Sequence, residues 1–227
     1  MARRKDQDAA REAIIAATLL AIRDRGMDGL RIRDVADIAG VSTGTVHYYF
    51  TDFAGLLTEV YQRASERFFR DRMLVVTELA DARLKLSAMI GTGIPWSSDD
   101  PLVTALYRLD SYLAFRDRQS ALVTALYDKQ VALYLGILET GQAQGHFTLR
   151  GKPLDIAQNL VALEDAYGLH IITDNRALPP LRAAELIHSF AAIATACHDI
   201  PACTEPPDPP AGSVPALNQK STRKIRP

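Results

Sequence analysis

The chain predicts an all-α protein of about nine helices. Apolar residues recur at three-and-four spacing over long stretches, and glycines, prolines and Ser or Asp caps punctuate the chain at helix-length intervals. No segment shows the strict alternation of a half-buried strand, and there is no internal repeat. With 227 residues, 48% of them hydrophobic, the chain is long enough to fill a packed core in one large or two small domains. The expected layout is a three-helix head over residues 1–55, a helical body over 56–198 and a tail over 199–227.

The head opens with a helix over residues 9 to 24, closed by Gly26 and Gly29. Residues 32 to 57, IRDVADIAGVSTGTVHYYFTDFAGLL, then hold two short helices and the start of a third. In the first, Ile32, Val35, Ala36, Ile38 and Ala39 share one face. Gly40 stops it, since glycine enters a left-handed turn without a Cβ clash, and Val41 can pack back on the helix end. Ser42 is placed to cap the next helix, where only Val46 and Phe50 look buried. A two-turn helix with so little apolar surface contributes little to a core. Thr43, Thr45, His47, Tyr48 and Tyr49 suit phosphate oxygens, base edges and thymine methyls, and a major groove accepts a helix of this size. The spacing is that of a helix-turn-helix.

This array resembles the DNA-binding domain of the TetR family of bacterial one-component regulators over about the first sixty residues, and STGTVHYYFTDFAGLL is similar to the branch containing the choline- and betaine-responsive regulator. The resemblance implies double-stranded DNA as partner, read as a pseudo-palindrome by a homodimer. It also implies a base contact for Arg33, base and phosphate contacts for Thr43 and Thr45, groove contacts for His47 and Tyr48, and a phosphate contact for Tyr49. Two positions depart from the family pattern: Arg31 stands where a capping Thr is common, and Phe53 where a phosphate-binding Lys is common. A lost cap costs about 1 kcal/mol, and a lost cation flattens the salt dependence of DNA binding by about one unit of slope. Arg31 itself, or Arg3, Arg4 and Lys5, are candidates to compensate.

After Phe53, the residues Leu56, Leu57, Val60, Tyr61, Ala64, Phe68, Met73 and Leu74 predict a long helix joining head to body, with the charges from Glu66 to Arg72 on its other face. Asp81 opens a short helix through Ile90, and GTGIPWSSDDP breaks the pattern. Asp100 then caps a helix with Pro101 in its first turn and a stripe of Leu102, Leu106, Leu109 and Leu113. A second long helix runs from about Ser120 to Gln144, the penultimate one covers 154–173, and the last runs from Pro179–Pro180 to about His198. Leu160, Leu163, Tyr167, Ile171, Leu186, Phe190, Ile193 and Ala194 give these two helices wide apolar faces. Two readings stand: a four-helix homodimer seam, or closure of the monomer core. The proline-rich segment from Asp199 lacks the apolar residues needed to offset chain entropy and is expected to be disordered. Its Lys220, Arg223, Lys224 and Arg226 are read either as DNA contacts or as a solvated tail.

The net charge of −1 is unlike that of a nonspecific DNA coater. Residues 1–55 carry eight Lys or Arg and eight Asp or Glu, so affinity for DNA is expected to depend on local placement and on dimerisation. Two cysteines, Cys197 and Cys203, make no disulfide scaffold. The first apolar run is interrupted by Asp6, Asp8, Arg11 and Glu12, which fits neither a signal peptide nor a membrane span, so a cytoplasmic protein is expected. No phosphate-binding glycine loop, metalloprotease motif or nucleophile constellation occurs, so neither an enzyme nor a cofactor is expected.

The resemblance further implies a small-molecule pocket in the body, whose occupancy alters the separation of the two heads. Polar residues that interrupt apolar faces are its candidates, because burying them requires a partner. These are Asp110 with Tyr107, the Glu164–Asp165 pair, and Trp96 in the loop entering the body. Carboxylates among aromatic rings favour an organic cation, a cationic amine. The alternative is that Asp110 pairs with Arg108 or Arg116 and that Glu164 or Asp165 bonds across a dimer seam. The leading function is a ligand-responsive transcriptional repressor, with a small-molecule-binding helical protein of weak or lost DNA binding as the alternative.

Overall fold

The computed structural model describes residues 2–97, 101–114 and 120–205; Asp100, Arg116, the basic residues near the C-terminus and the side chains of Arg3, Arg4 and Lys5 lie outside that description. Among the described residues there are nine helices and no strand: α1 (Ala2–Arg25), α2 (Ile32–Ala39), α3 (Thr43–Tyr49), α4 (Phe53–Glu78), α5 (Ala82–Gly93), α6 (Pro101–Ala114), α7 (Ser120–Ala143), α8 (Pro153–Ile172) and α9 (Pro180–Thr195).

Two apolar cores organise them. One gathers Ile14, Ile22, Val35, Val46, Leu57 and Tyr61 with Leu106, Leu109 and Leu113. The other joins the C-terminal end of α4 to α5, α7, α8 and α9 around Leu86, Ile90, Tyr134, Leu160 and Ile187. The head core therefore continues past residue 55, through the first half of α4 and onto α6, so the covalent boundary expected at 55 is not a packing boundary.

Several expectations change. Arg72, expected on the polar face of α4, is buried, because the inward stripe steps from Ala64 and Phe68 to Arg72 and Val76 rather than to Met73, which is exposed. Ile38, assigned to the buried face of α2, is also exposed. Leu160, Ile171 and Ala194, offered as dimer-seam residues, close the monomer core, whereas Ile193 is 65% exposed and Leu186 and Phe190 are half-buried. The expected tail begins later than Asp199: Ile200 is buried, and its carbonyl lies 2.7 Å from His188 Nε2. Ala121–Ala143 is long and apolar enough to cross a membrane by length and composition, but its Leu126, Val131, Tyr134, Ile137 and Leu138 are buried in the two cores.

Candidate nucleic-acid interface and candidate effector cleft

Local sequence builds the first site. Gly40 ends α2 at φ 68°, a conformation that penalises a side chain, and Val41 N donates to Ala36 O at 3.0 Å to close the turn. Ser42 Oγ then accepts from Thr45 N at 3.0 Å and caps α3. Val46 and Phe50 plug α3 into the head core, leaving Thr43, His47 and Tyr48 exposed. Tyr48 is 71% exposed and stands edge-on to the half-buried Tyr49, with ring centroids 5.1 Å apart. Thr45 is half-buried and shares a 2.9 Å hydrogen bond between its Oγ1 and Ser42 Oγ. The face on offer thus consists of Thr43, His47 and Tyr48, with Thr45 and Tyr49 at its edge and Arg33 exposed on α2.

The two departures from the family pattern have structural answers. Arg31 cannot accept a hydrogen bond as a Thr cap would, but Asp34 Oδ2 accepts from Arg31 N at 2.9 Å, which supplies one half of a capping box. Asp34 also pairs with Arg25 and so ties the end of α1 to α2. Phe53 is half-buried against the head core rather than reaching outward as a lysine would, and Asp52 Oδ1 caps α4 by accepting from Gly55 N at 2.7 Å. Arg11 supports α3 from below: it pairs with Glu59 of α4 while its guanidinium lies 5.0 Å from the centre of the Phe50 ring.

The candidate effector residues separate into three settings. Tyr107, Asp110 and Asp165 come together with Ser111, Ala114, Val123 and Leu169 around a cleft of about 350 Å³ between α6, α7 and α8. Trp96 lies elsewhere, beside Asp174, Arg176 and Pro179 in a more polar cleft of about 480 Å³, with its indole N–H donating to Gly91 O at 2.7 Å. Glu164 faces the core rather than either cleft. Its carboxylate accepts from Arg72 Nη2 at 2.9 Å and from the Tyr134 hydroxyl, and both charged side chains are 1% exposed.

Asp110 does not pair with Arg108, one of the two arginines suggested for it; the other, Arg116, lies outside the described residues. Asp110 Oδ1 accepts from the hydroxyl of Tyr61, on α4, at 2.6 Å, while Arg108 turns away toward α1. Burial pushes the Asp110 carboxyl up to about 6, against the opposing pull of the Tyr61 hydrogen bond. Asp165 keeps access to solvent at the mouth of the cleft, yet the surrounding protein, and next the charge of Asp110, lift it to about 6 as well. The Tyr107 hydroxyl donates to Glu164 O at 3.3 Å, and there it passes so close to α8 that a Cβ at Gly168 would stand 1.7 Å from its oxygen. A side chain at position 168 would force the Tyr107 ring to move. Tyr61, Arg72 and Tyr134 escaped sequence reasoning. Arg72 alone carried a signal, its four-residue spacing from Phe68.

Residues 14–60 match the family model described as bacterial regulatory proteins, tetR family. Over that stretch the chain is a TetR-type regulatory head. Over 133 residues it is 26% identical to the HTH-type transcriptional repressor KstR2 of Rhodococcus jostii, which covers 59% of this chain and 64% of that protein. Over 88 residues it is 39% identical to the HTH-type transcriptional regulator BetI of Escherichia coli, covering 37% of this chain and 45% of that protein. The chain thus spans from just under half to just under two thirds of these curated relatives. A putative transcriptional regulator from Saccharomonospora viridis, solved in complex with choline, shares the fold at a TM-score of 0.75 and 23% identity, covering 85% of this chain and 98% of that one. All three are named as transcriptional regulators or repressors.

Proposed function

We propose that the chain is a homodimeric transcriptional repressor of the cytoplasm, released from a pseudo-palindromic operator by an organic cation. The presentation of α3 carries this reading: its apolar side chains are used up in holding it, and Thr43, His47 and Tyr48 face outward with no role in the core. Thr43, Thr45, His47, Tyr48 and Tyr49 would contact one half-site with Arg33, and the second subunit would place the same set about 34 Å or somewhat further along the duplex. Titration of DNA from upstream of its own gene tests this. A footprint over two half-sites is expected, and absence of binding at low as well as moderate salt would leave only a small-molecule-binding protein.

The dimer would form through the outward faces of α8 and α9, where Leu186, Phe190 and the exposed Ile193 lie at helical spacing on α9 and Leu163 and Tyr167 are half-buried on α8. Ile193→Glu would place a charge in that seam and is expected to give a folded monomer in analytical ultracentrifugation; an unchanged dimer would move the interface elsewhere.

For the effector, the favoured site is the Tyr107, Asp110 and Asp165 cleft, with Trp96 and Glu164 released from the role. Two carboxylates beside a tyrosine ring and the aliphatic Val123 and Leu169 suit a quaternary or primary ammonium group, and the choline held by the Saccharomonospora viridis protein is of that class. The pH trend follows from the raised carboxyls. A folded-state pKa raised from about 4 to about 6 contributes stability that is present below pH 4 and is lost as pH rises through 6. A bound cation favours the ionised forms, so its affinity is expected to rise over the same interval. Thermal shifts with choline or tetramethylammonium should therefore be largest near pH 7.5 and should shrink toward pH 5. Stabilisation by neutral lipophiles but by no amine would exclude the cation.

A further inference from the structure

We infer that Arg108 is the positioning residue through which the state of the cleft is felt in the DNA-reading head. It lies on α6, two residues before Asp110, and its guanidinium crosses to the end of α1. There Nη1 donates to the carbonyls of Ile22 and Arg23, the latter at 2.9 Å. Ile22 O also accepts from Gly26 N at 2.9 Å, and the last carbonyls of a helix carry its partial negative charge, so a guanidinium is well matched to hold them. The same end of α1 leads into the turn before α2 and is tied to it by the Arg25–Asp34 pair. Asp110 meanwhile is bound by Tyr61 of α4. One short helix therefore carries the cleft carboxylate and a clamp on the head's first helix within a single turn. A change in the charge or position of Asp110 that shifts α6 acts on α1 through Arg108, and α1 orients α2 and α3.

This inference deepens the effector reading and rests on it for its physiological meaning, but its test needs neither DNA nor effector. Amide hydrogen exchange is measured on the full chain in a double-mutant cycle of Asp110→Asn and Arg108→Gln. Asp110→Asn removes the cleft charge. It is expected to change exchange in the last turn of α1 and in α2 by about fivefold or more, and by less than twofold when Arg108→Gln is also present. Equal changes in both backgrounds would overturn the inference and assign the coupling to Tyr61 and α4. No change in either background would overturn it too. Arg108→Lys retains a cationic donor; it is expected to keep part of the coupling, and it carries the cycle should Arg108→Gln fail to fold. Failure of tetramethylammonium to release DNA, alongside a positive cycle, would count against the effector reading alone.

Discussion

Arg72→Met is expected to destabilise the protein by about 3–5 kcal/mol, the cost of removing one partner from a buried ion pair. At about 2–4 °C per kcal/mol for a chain of this size, that is a fall in Tm of roughly 10 °C. Arg72 Nη1 donates to Gln130 Oε1 at 2.6 Å, and Nη2 donates to Met89 O at 2.9 Å and to both oxygens of Glu164. Methionine fills much of the volume and supplies none of these donors. Glu164 is left among Tyr134 and apolar side chains with a charge it cannot hold. Burial already pushes the Glu164 carboxyl up to about 7, with Arg72 and then Tyr134 pulling it down. A raised carboxyl pKa contributes stability below about 4.5 that is lost as pH rises through 7. Without Arg72 that loss deepens, so the gap between variant and parent should be wider at pH 8 than at pH 5. Adding Glu164→Leu should recover most of the loss, because a well-packed apolar replacement of a buried pair is often neutral or stabilising. Denaturant unfolding at both pH values measures all three forms. A single variant within 1 kcal/mol of the parent would mean that the pair is not buried as described.

Tyr48→Ala is expected to weaken specific DNA binding severely without disturbing the fold. The side chain is 71% exposed, so its removal should change stability by no more than about 0.5 kcal/mol. A contact that reads a base is worth about 1–3 kcal/mol, and a dimer loses two of them. Affinity for the operator should then fall roughly 30-fold to more than 1000-fold, with the salt dependence unchanged because no cation has been removed. Arg33→Ala should instead flatten the salt dependence by about one unit per subunit if the guanidinium also neutralises a phosphate. Fluorescence anisotropy on the footprinted fragment between 50 and 200 mM salt separates the two behaviours. Retained operator affinity in Tyr48→Ala would displace the reading face from α3.

Where the geometry of the helix pair depends on short local signals, the sequence was sufficient. Gly40, Ser42, Val46 and Phe50 define the turn, the cap and the two anchors of α3 by spacing alone, and exposure of the remaining side chains follows from there being nothing apolar to bury. The cleft was legible only in part. Asp110 and Tyr107 share a helix and were grouped from their spacing, but Asp165 joins them from more than fifty residues away, and its neighbour Glu164 turns the opposite way. Adjacent residues on a helix point about 100° apart, so one of two consecutive acids can face a cleft while the other enters the core. Trp96 illustrates the converse case, a suitable aromatic whose loop leads it to a different cleft.

Among the described residues, helix number and order, the Ser42 and Asp81 caps and the outward face of α3 were determined by the sequence itself, because each depends on contacts within a few residues along the chain. Tertiary structure alone decided which charges are paired in the interior and which are left to line a cleft. Arg72 meets Glu164 across 92 positions, Tyr61 meets Asp110 across 49, and Arg108 reaches Ile22 across 86. No local periodicity encodes such pairings. They arise when helices distant in sequence pack together and each desolvated polar group must find a partner among whatever the neighbouring helices present.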